Sequence, residues 1–381
     1  MALERTPLLV GDLSPAAQQA LSAGPAKMMA ARGLAPLPDP VDLLSVLYQL
    51  SLDDDAGLAK SARGSLDGLP DRVLEGALAD PRLDGRVLDL FAEAARGKTA
   101  LIDKIILNTS TADETLAELA GKVGALQVDL IAQNEQRLLR HPAIIGSMYN
   151  NLQARMSTVD RAVELAVRHS IKVPGISAWD ELVSAFTGIK RRNDAKKQVE
   201  VASAKDRPEG GEIVEVPDEQ ADAMFAAAAR GAASSEAEAE ANLPISKMTV
   251  PMKIRLATLG NSFQRSVLIR DPIKMVSLAA IKAPGVNDME AARFASNHSM
   301  PDDVIAYIAS RRDWTKLYGV KLSLITNPKT PIPAAVRFLD HLREKDLRQV
   351  ARSKSIPSAV AAGARKRLMN KEKRGGGGRG H

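Results

Sequence analysis

Residues Lys321–Leu339 read KLSLITNPKTPIPAAVRFL. Leu322, Leu324 and Ile325 end one apolar helical face, and Asn327 follows them. Asparagine tolerates the left-handed backbone found at many helix ends, and Pro328 cannot continue a helix. Thr330 is placed to cap a new helix, with Pro331 at its first position. Val336, Leu339 and Leu342 then recur at helical spacing. The stretch predicts two helices joined by a turn of about five residues.

The same order of signals returns elsewhere. It is seen from Asn297 through Met300 and Pro301 to Val304, and from Asn108 through Thr111 to Leu116. In the second of these, Thr111 is the expected cap and Glu114 its capping-box partner. Ser353 through Ile356 and Pro357 to Val360 is a weaker copy; Asp80-Pro81, His141-Pro142 and Asp271-Pro272 are weaker still. Starting positions 271, 297, 327 and 353 are 26, 30 and 26 residues apart, and 80, 108 and 141 are 28 and 33 apart. That is the period of paired-helix repeats. A unit of this size cannot bury its apolar face alone, so neighbours must stack.

These residues carry a resemblance. The Asn-Pro-x-Thr-Pro-x-x-Val-x-x-Leu order resembles bacterial HEAT-like repeats and the variant leucine-rich repeat, over about two thirds of the chain in two blocks. One member of the latter family holds an iron–sulfur cluster on cysteines; with no Cys in this chain that feature does not carry over. The expected fold class is all-α: two blocks of stacked helix pairs, a HEAT-like α-solenoid, joined by a disordered charged linker.

Composition agrees. Hydrophobic residues make up 45% and aromatics 3%, so the core must be Leu, Ala, Val and Ile, which suits helix-on-helix packing. Zero Cys excludes disulfides, thiolate metal sites and a cysteine nucleophile. No basic start followed by a long apolar core opens the sequence, and no apolar run reaches about 18 residues, so neither a signal peptide nor a membrane span is expected. The expected location is the bacterial cytoplasm. The net charge of +6 is uneven: residues 343–381 hold twelve Lys/Arg and three Asp/Glu, and everything before them sums to −3.

Five segments are expected. Residues 1–40 are a Pro-rich arm that packs on the first repeat or stays mobile, with a short helix from the Ser14 cap and another over Ala26–Ala31. Residues 41–189 form the first helical block, with Trp179 covering its end. Residues 190–243 are the linker, basic to Lys205 and acidic after it, and too poor in large apolar residues to offset the entropy of ordering. Residues 244–369 form the second block, in which one helix runs from Arg311 to Asn327. Residues 370–381 are a flexible basic tail.

No catalytic constellation emerges. Asp53-Asp54-Asp55 lacks the alternating spacing of a calcium loop and reads as a turn that caps the next helix. Gly97-Lys98-Thr99 resembles the end of a phosphate loop, but the required earlier Gly is replaced by Ala92 and Glu93. None of the five His falls in a His-Glu-x-x-His pattern. No enzyme activity, cofactor or metal is expected. The preferred reading is a protein–protein interaction scaffold with protein partners; the alternative is nucleic-acid binding through the second block and the tail. The expected interaction surface comprises Arg137, Arg140, Arg255, Arg265, Arg270, Arg311, Arg312, Lys316 and Lys321. Met224 and Phe225 form a candidate docking motif in the linker, and Lys371, Lys373, Arg374 and Arg379 form the basic tail.

Overall fold

The computed structural model describes residues 5–22, 24–95, 97–188 and 243–376, with side chains to 371. Among the described residues there are helices and turns and no strand. The linker expected over 190–243 lies outside them apart from Leu243, as do Met224, Phe225 and Arg379. Contacts divide the chain into two compact units, 1–176 and 177–381.

In the first unit the helices stack as two rows. One row holds Pro40–Ser51, Asp71–Ala79, Thr99–Leu107 and Ala125–Ala132. The other holds Gly85–Ala94, Asp113–Ala120 and Ala143–Asn150. The second unit repeats the arrangement. Val250–Leu259, Lys274–Lys282 and Asp302–Ser310 form one row; Asp288–Ser296, Tyr318–Thr326 and Glu344–Arg352 form the other. Leu44, Leu78, Leu88, Ile105 and Ile145 are among the fully buried side chains of the first unit. Each such side chain stabilises the fold by about 1.5–3 kcal/mol relative to exposure.

The turns that mark the repeat do something other than the local reading predicts. Asn327 is not left-handed; it is extended, with φ −84° and ψ 119°. Its buried side chain donates from Nδ2 to Ala295 O at 2.9 Å and Asn297 O at 3.3 Å, the end of the preceding helix in its row. Its Oδ1 accepts from Lys329 N at 3.0 Å, which closes the turn. Asn108 repeats this with Leu78 O, Asp80 O and Ser110 N, and Asn151 with Ala120 O, Val123 O and Gln153 N. The threonines do not cap forward. Thr111 donates back to Ile105 O at 2.6 Å, and Thr330 donates back to Leu324 O. The next helices begin after Ala112 and Pro331, and neither has a side-chain cap. Asparagine is needed because one side chain must both donate twice and accept once.

Asp80, Asp271, Asn297 and Ser353 keep only the local part of the motif, accepting from the amide two residues on. His141, expected to start a copy, does not; Asn151 takes that role ten residues later. A second set of polar links also spans repeats: Ser14 donates to Asp42, Thr115 to Asp89, Gln127 to Asp103 and Thr158 to Asp129.

The N-terminal arm takes the packed one of its two expected states, and several later segments differ from expectation. The N-terminal arm packs on the first unit. Leu8 is buried, its amide donates to Gln49 Oε1 at 2.7 Å, and Arg86 donates to Pro7 O at 2.7 Å. Ser14 caps Pro15–Ala20, as expected. Residues 179–188 are helical and belong to the second unit, where Glu181 pairs with Lys282, so Trp179 does not close the first block. The helix expected from Arg311 to Asn327 is two, Arg312–Thr315 and Tyr318–Thr326, broken at an extended Leu317. The break accompanies an anchor: the Tyr318 hydroxyl donates to Asp346 and accepts from Arg343 N. The final helix runs Ser358–Gly376, so Lys371, Lys373 and Arg374 lie on a helix rather than in a flexible tail.

Candidate interaction groove

A concavity of the first unit lies where four helices meet: Gly85–Ala94, Thr99–Leu107, Asp113–Ala120 and Ala125–Ala132. Its volume is about 300 Å³. Ala92, Ile102, Leu119 and Val123 supply an apolar floor. Asp89, Glu93, Glu118, Lys122 and Gln127 supply a polar rim. Local sequence explains the shape. Gly97 has φ +95°, a left-handed conformation that allows the turn into Thr99–Leu107. Gly85 lets two turns meet closely, since a Cβ there would lie 2.7 Å from Ser110 O.

The rim is held from within. Thr115 Oγ1 donates to Asp89 Oδ1 at 2.7 Å, and Glu118 pairs with Lys122 one turn on. Arg5 of the N-terminal arm reaches Glu93 at 2.7 Å. Lys98 is drawn away to Asp71, also at 2.7 Å. Lys98 therefore does not line the groove beside Gly97 and Thr99, where Asp89, Glu93 and Glu118 stand. Asp53-Asp54-Asp55 resolves as a capping turn: Asp55 Oδ1 accepts from Gly57 N and Leu58 N, and Asp53 pairs with Lys27 at 2.6 Å. Among the described residues no group of three or more His, Asp or Glu stands close enough to hold a metal ion, and no helix is long and apolar enough to cross a membrane.

The residues expected to form an interaction surface divide sharply. Arg137, Arg255 and Arg265 are buried, at 9%, 4% and 9% exposure, and cannot meet a partner. Arg137 donates to Asn108 O, Thr109 O and Thr111 O, closing the carbonyl ends of a repeat turn. Burial holds its guanidinium pKa below the ordinary value despite the nearby Asp113. Arg265 donates to Gly260 O at 2.7 Å and Gly285 O at 3.1 Å, beside Glu290. Arg140 is exposed but bidentate on Asp113 at 2.6 and 2.8 Å. Arg270, Arg311, Arg312, Lys316 and Lys371 are exposed, and Lys321 is half-buried. Arg311 lies over both Tyr307 and Trp314, 5.9 Å from each ring centre.

The acids of the second unit interleave with its cations. Lys274 meets Asp303 at 2.7 Å, Lys316 meets Asp313 at 3.2 Å, and Lys329 meets Asp302 at 3.5 Å. These residues do not form an uninterrupted phosphate track. The groove of the first unit was not legible locally, because its lining comes from positions 89 to 127 that share no motif. No known protein family matches the chain, and no curated protein or solved structure resembles it.

Proposed function

We propose that this chain is a non-enzymatic interaction scaffold of the HEAT-like kind, a bacterial cytoplasmic adaptor that takes a segment of a protein partner into the groove of its first unit. The observation that supports this reading is the composition of that groove. Its apolar floor of Ala92, Ile102, Leu119 and Val123 is rimmed by fixed polar groups. Such a mixture is what a peptide-binding surface needs: area to desolvate, and groups to set register. Stacked helix pairs commonly present surfaces of this type. The nucleic-acid reading has less support, because Asp302, Asp303 and Asp313 each occupy a nearby cation.

The test is site-specific photocrosslinking in the native host. A benzophenone side chain at Val123 is expected to capture a discrete protein in nuclease-treated extract. The same group at exposed Lys60, outside the groove, is expected to capture none. Equal capture at both positions, or capture abolished by nuclease, would reject the scaffold reading.

A further inference from the structure

The second unit carries a groove of a different kind. It lies between helix Glu344–Arg352 with its following turn, the end of Tyr318–Thr326, and His298. Its volume is about 960 Å³. Lys345, Arg348 and Arg352 all line it. Their spacing of three and four residues puts them on one helical face, over about 10 Å. Glu344, the acid among the lining residues, is bound to Arg348. Lys345, Arg352 and His298 meet no acceptor among the described residues. Gln349, Ser353 and Ser355 add hydrogen-bonding groups beside them. This contrasts with Lys274, Lys316 and Lys329 of the same unit, which have acidic partners.

We propose that this groove binds an acidic, extended peptide segment of a partner protein, whose carboxylates meet Lys345, Arg348 and Arg352. Charge complementarity is the first reason: Lys345 and Arg352 have no internal partner among the described residues and gain most from an anion brought to them, while Arg348 would share its guanidinium between Glu344 and the peptide. Spacing is the second. Alternate side chains of an extended peptide lie about 7 Å apart, comparable with the helical turn that separates these cations. Nucleic acid fits less well. No Phe, Tyr or Trp lines the groove to make a stacking platform for successive bases, and the cations end after about two helical turns. The proposal is independent of the groove in the first unit.

Fluorescence polarisation on the full chain tests it. The probe is a fluorescein-labelled synthetic peptide alternating Glu and Gly, compared with its Gln–Gly counterpart and with labelled oligo-deoxythymidine. The Glu peptide is expected to bind, to weaken with added salt, and to lose about tenfold or more in affinity with Lys345→Glu combined with Arg352→Glu. Both side chains are exposed and without internal partners, so circular dichroism is expected to stay unchanged. Lys60→Glu combined with Lys104→Glu, both exposed in the first unit, is the control matched in net charge and is expected to bind as wild type. The proposal is overturned if the Glu peptide does not bind, if the Gln peptide binds equally, or if the double variant binds as wild type. Oligo-deoxythymidine binding more tightly than the peptide, and lost in the double variant, would also overturn it and assign the groove to nucleic acid.

Discussion

Asn327 shows how one side chain ties one repeat to the next. It is 1% exposed and spans a turn to carbonyls 30 and 32 residues earlier. Asn327→Ala removes the Nδ2 donor from Ala295 O and Asn297 O and the Oδ1 acceptor from Lys329 N, for a loss of about 2–4 kcal/mol in urea denaturation. Asn327→Asp is expected to be worse than Ala at neutral pH, because a carboxylate would face two carbonyl oxygens, and to recover toward Ala in acid. An Asp variant more stable than Ala at pH 7 would show that the Nδ2 bonds do not matter. Gly146 makes a steric contribution of the same order. A Cβ there would sit 2.2 Å from Pro174 O, so Gly146→Ala is expected to cost about 1–3 kcal/mol. The asparagines were readable as repeat markers, but their role was not. A turn sequence reports local geometry, whereas Nδ2 answers to a carbonyl one repeat away.

At the scale of the helix, Arg137 and Arg140 sit on the same short element, Glu135–Arg140, with opposite fates. The carbonyls of a repeat turn surround Arg137, so Arg137→Met is expected to cost about 2–4 kcal/mol from groups left unpaired. Arg140 is paired with Asp113 at the surface, so Arg140→Met is expected to cost less than about 1 kcal/mol. Matched thermal melts of the two variants give the comparison, and equal losses would contradict it. Sequence alone could not separate them. Residues three apart lie on the same side of a helix, so spacing does not distinguish them, and only the neighbouring repeat decides which of the two is covered. The break at Leu317 is similar: nothing local forbids a continuous helix there, and the Tyr318 hydroxyl bonds to Asp346 and Arg343 appear only once the repeats have stacked.

Over the whole molecule, paired carboxylates make stability depend on acid. Hydrogen bonds from Lys27, Arg86, Arg140 and Arg367 hold Asp53, Asp84, Asp113 and Asp340 below the ordinary carboxylate range. The unfolded chain therefore binds more protons than the folded one as pH falls through about 4. Their contribution is fully present above that pH and is lost as pH falls through the folded values. Urea midpoints are expected to be level from about pH 6 to 8 and to drop below about pH 4. A midpoint unchanged at about pH 3 would contradict the role of these pairs. Helical periodicity, turn residues and composition are local properties, so the all-α class, the repeat period and the absence of thiol chemistry were readable from the chain. Tertiary structure alone decided that residues 179–188 join the second unit, that Arg137, Arg255 and Arg265 are buried, and that two grooves with different linings exist. Those features depend on which residues, up to 101 positions apart, stacking brings into contact, and no local pattern encodes that choice.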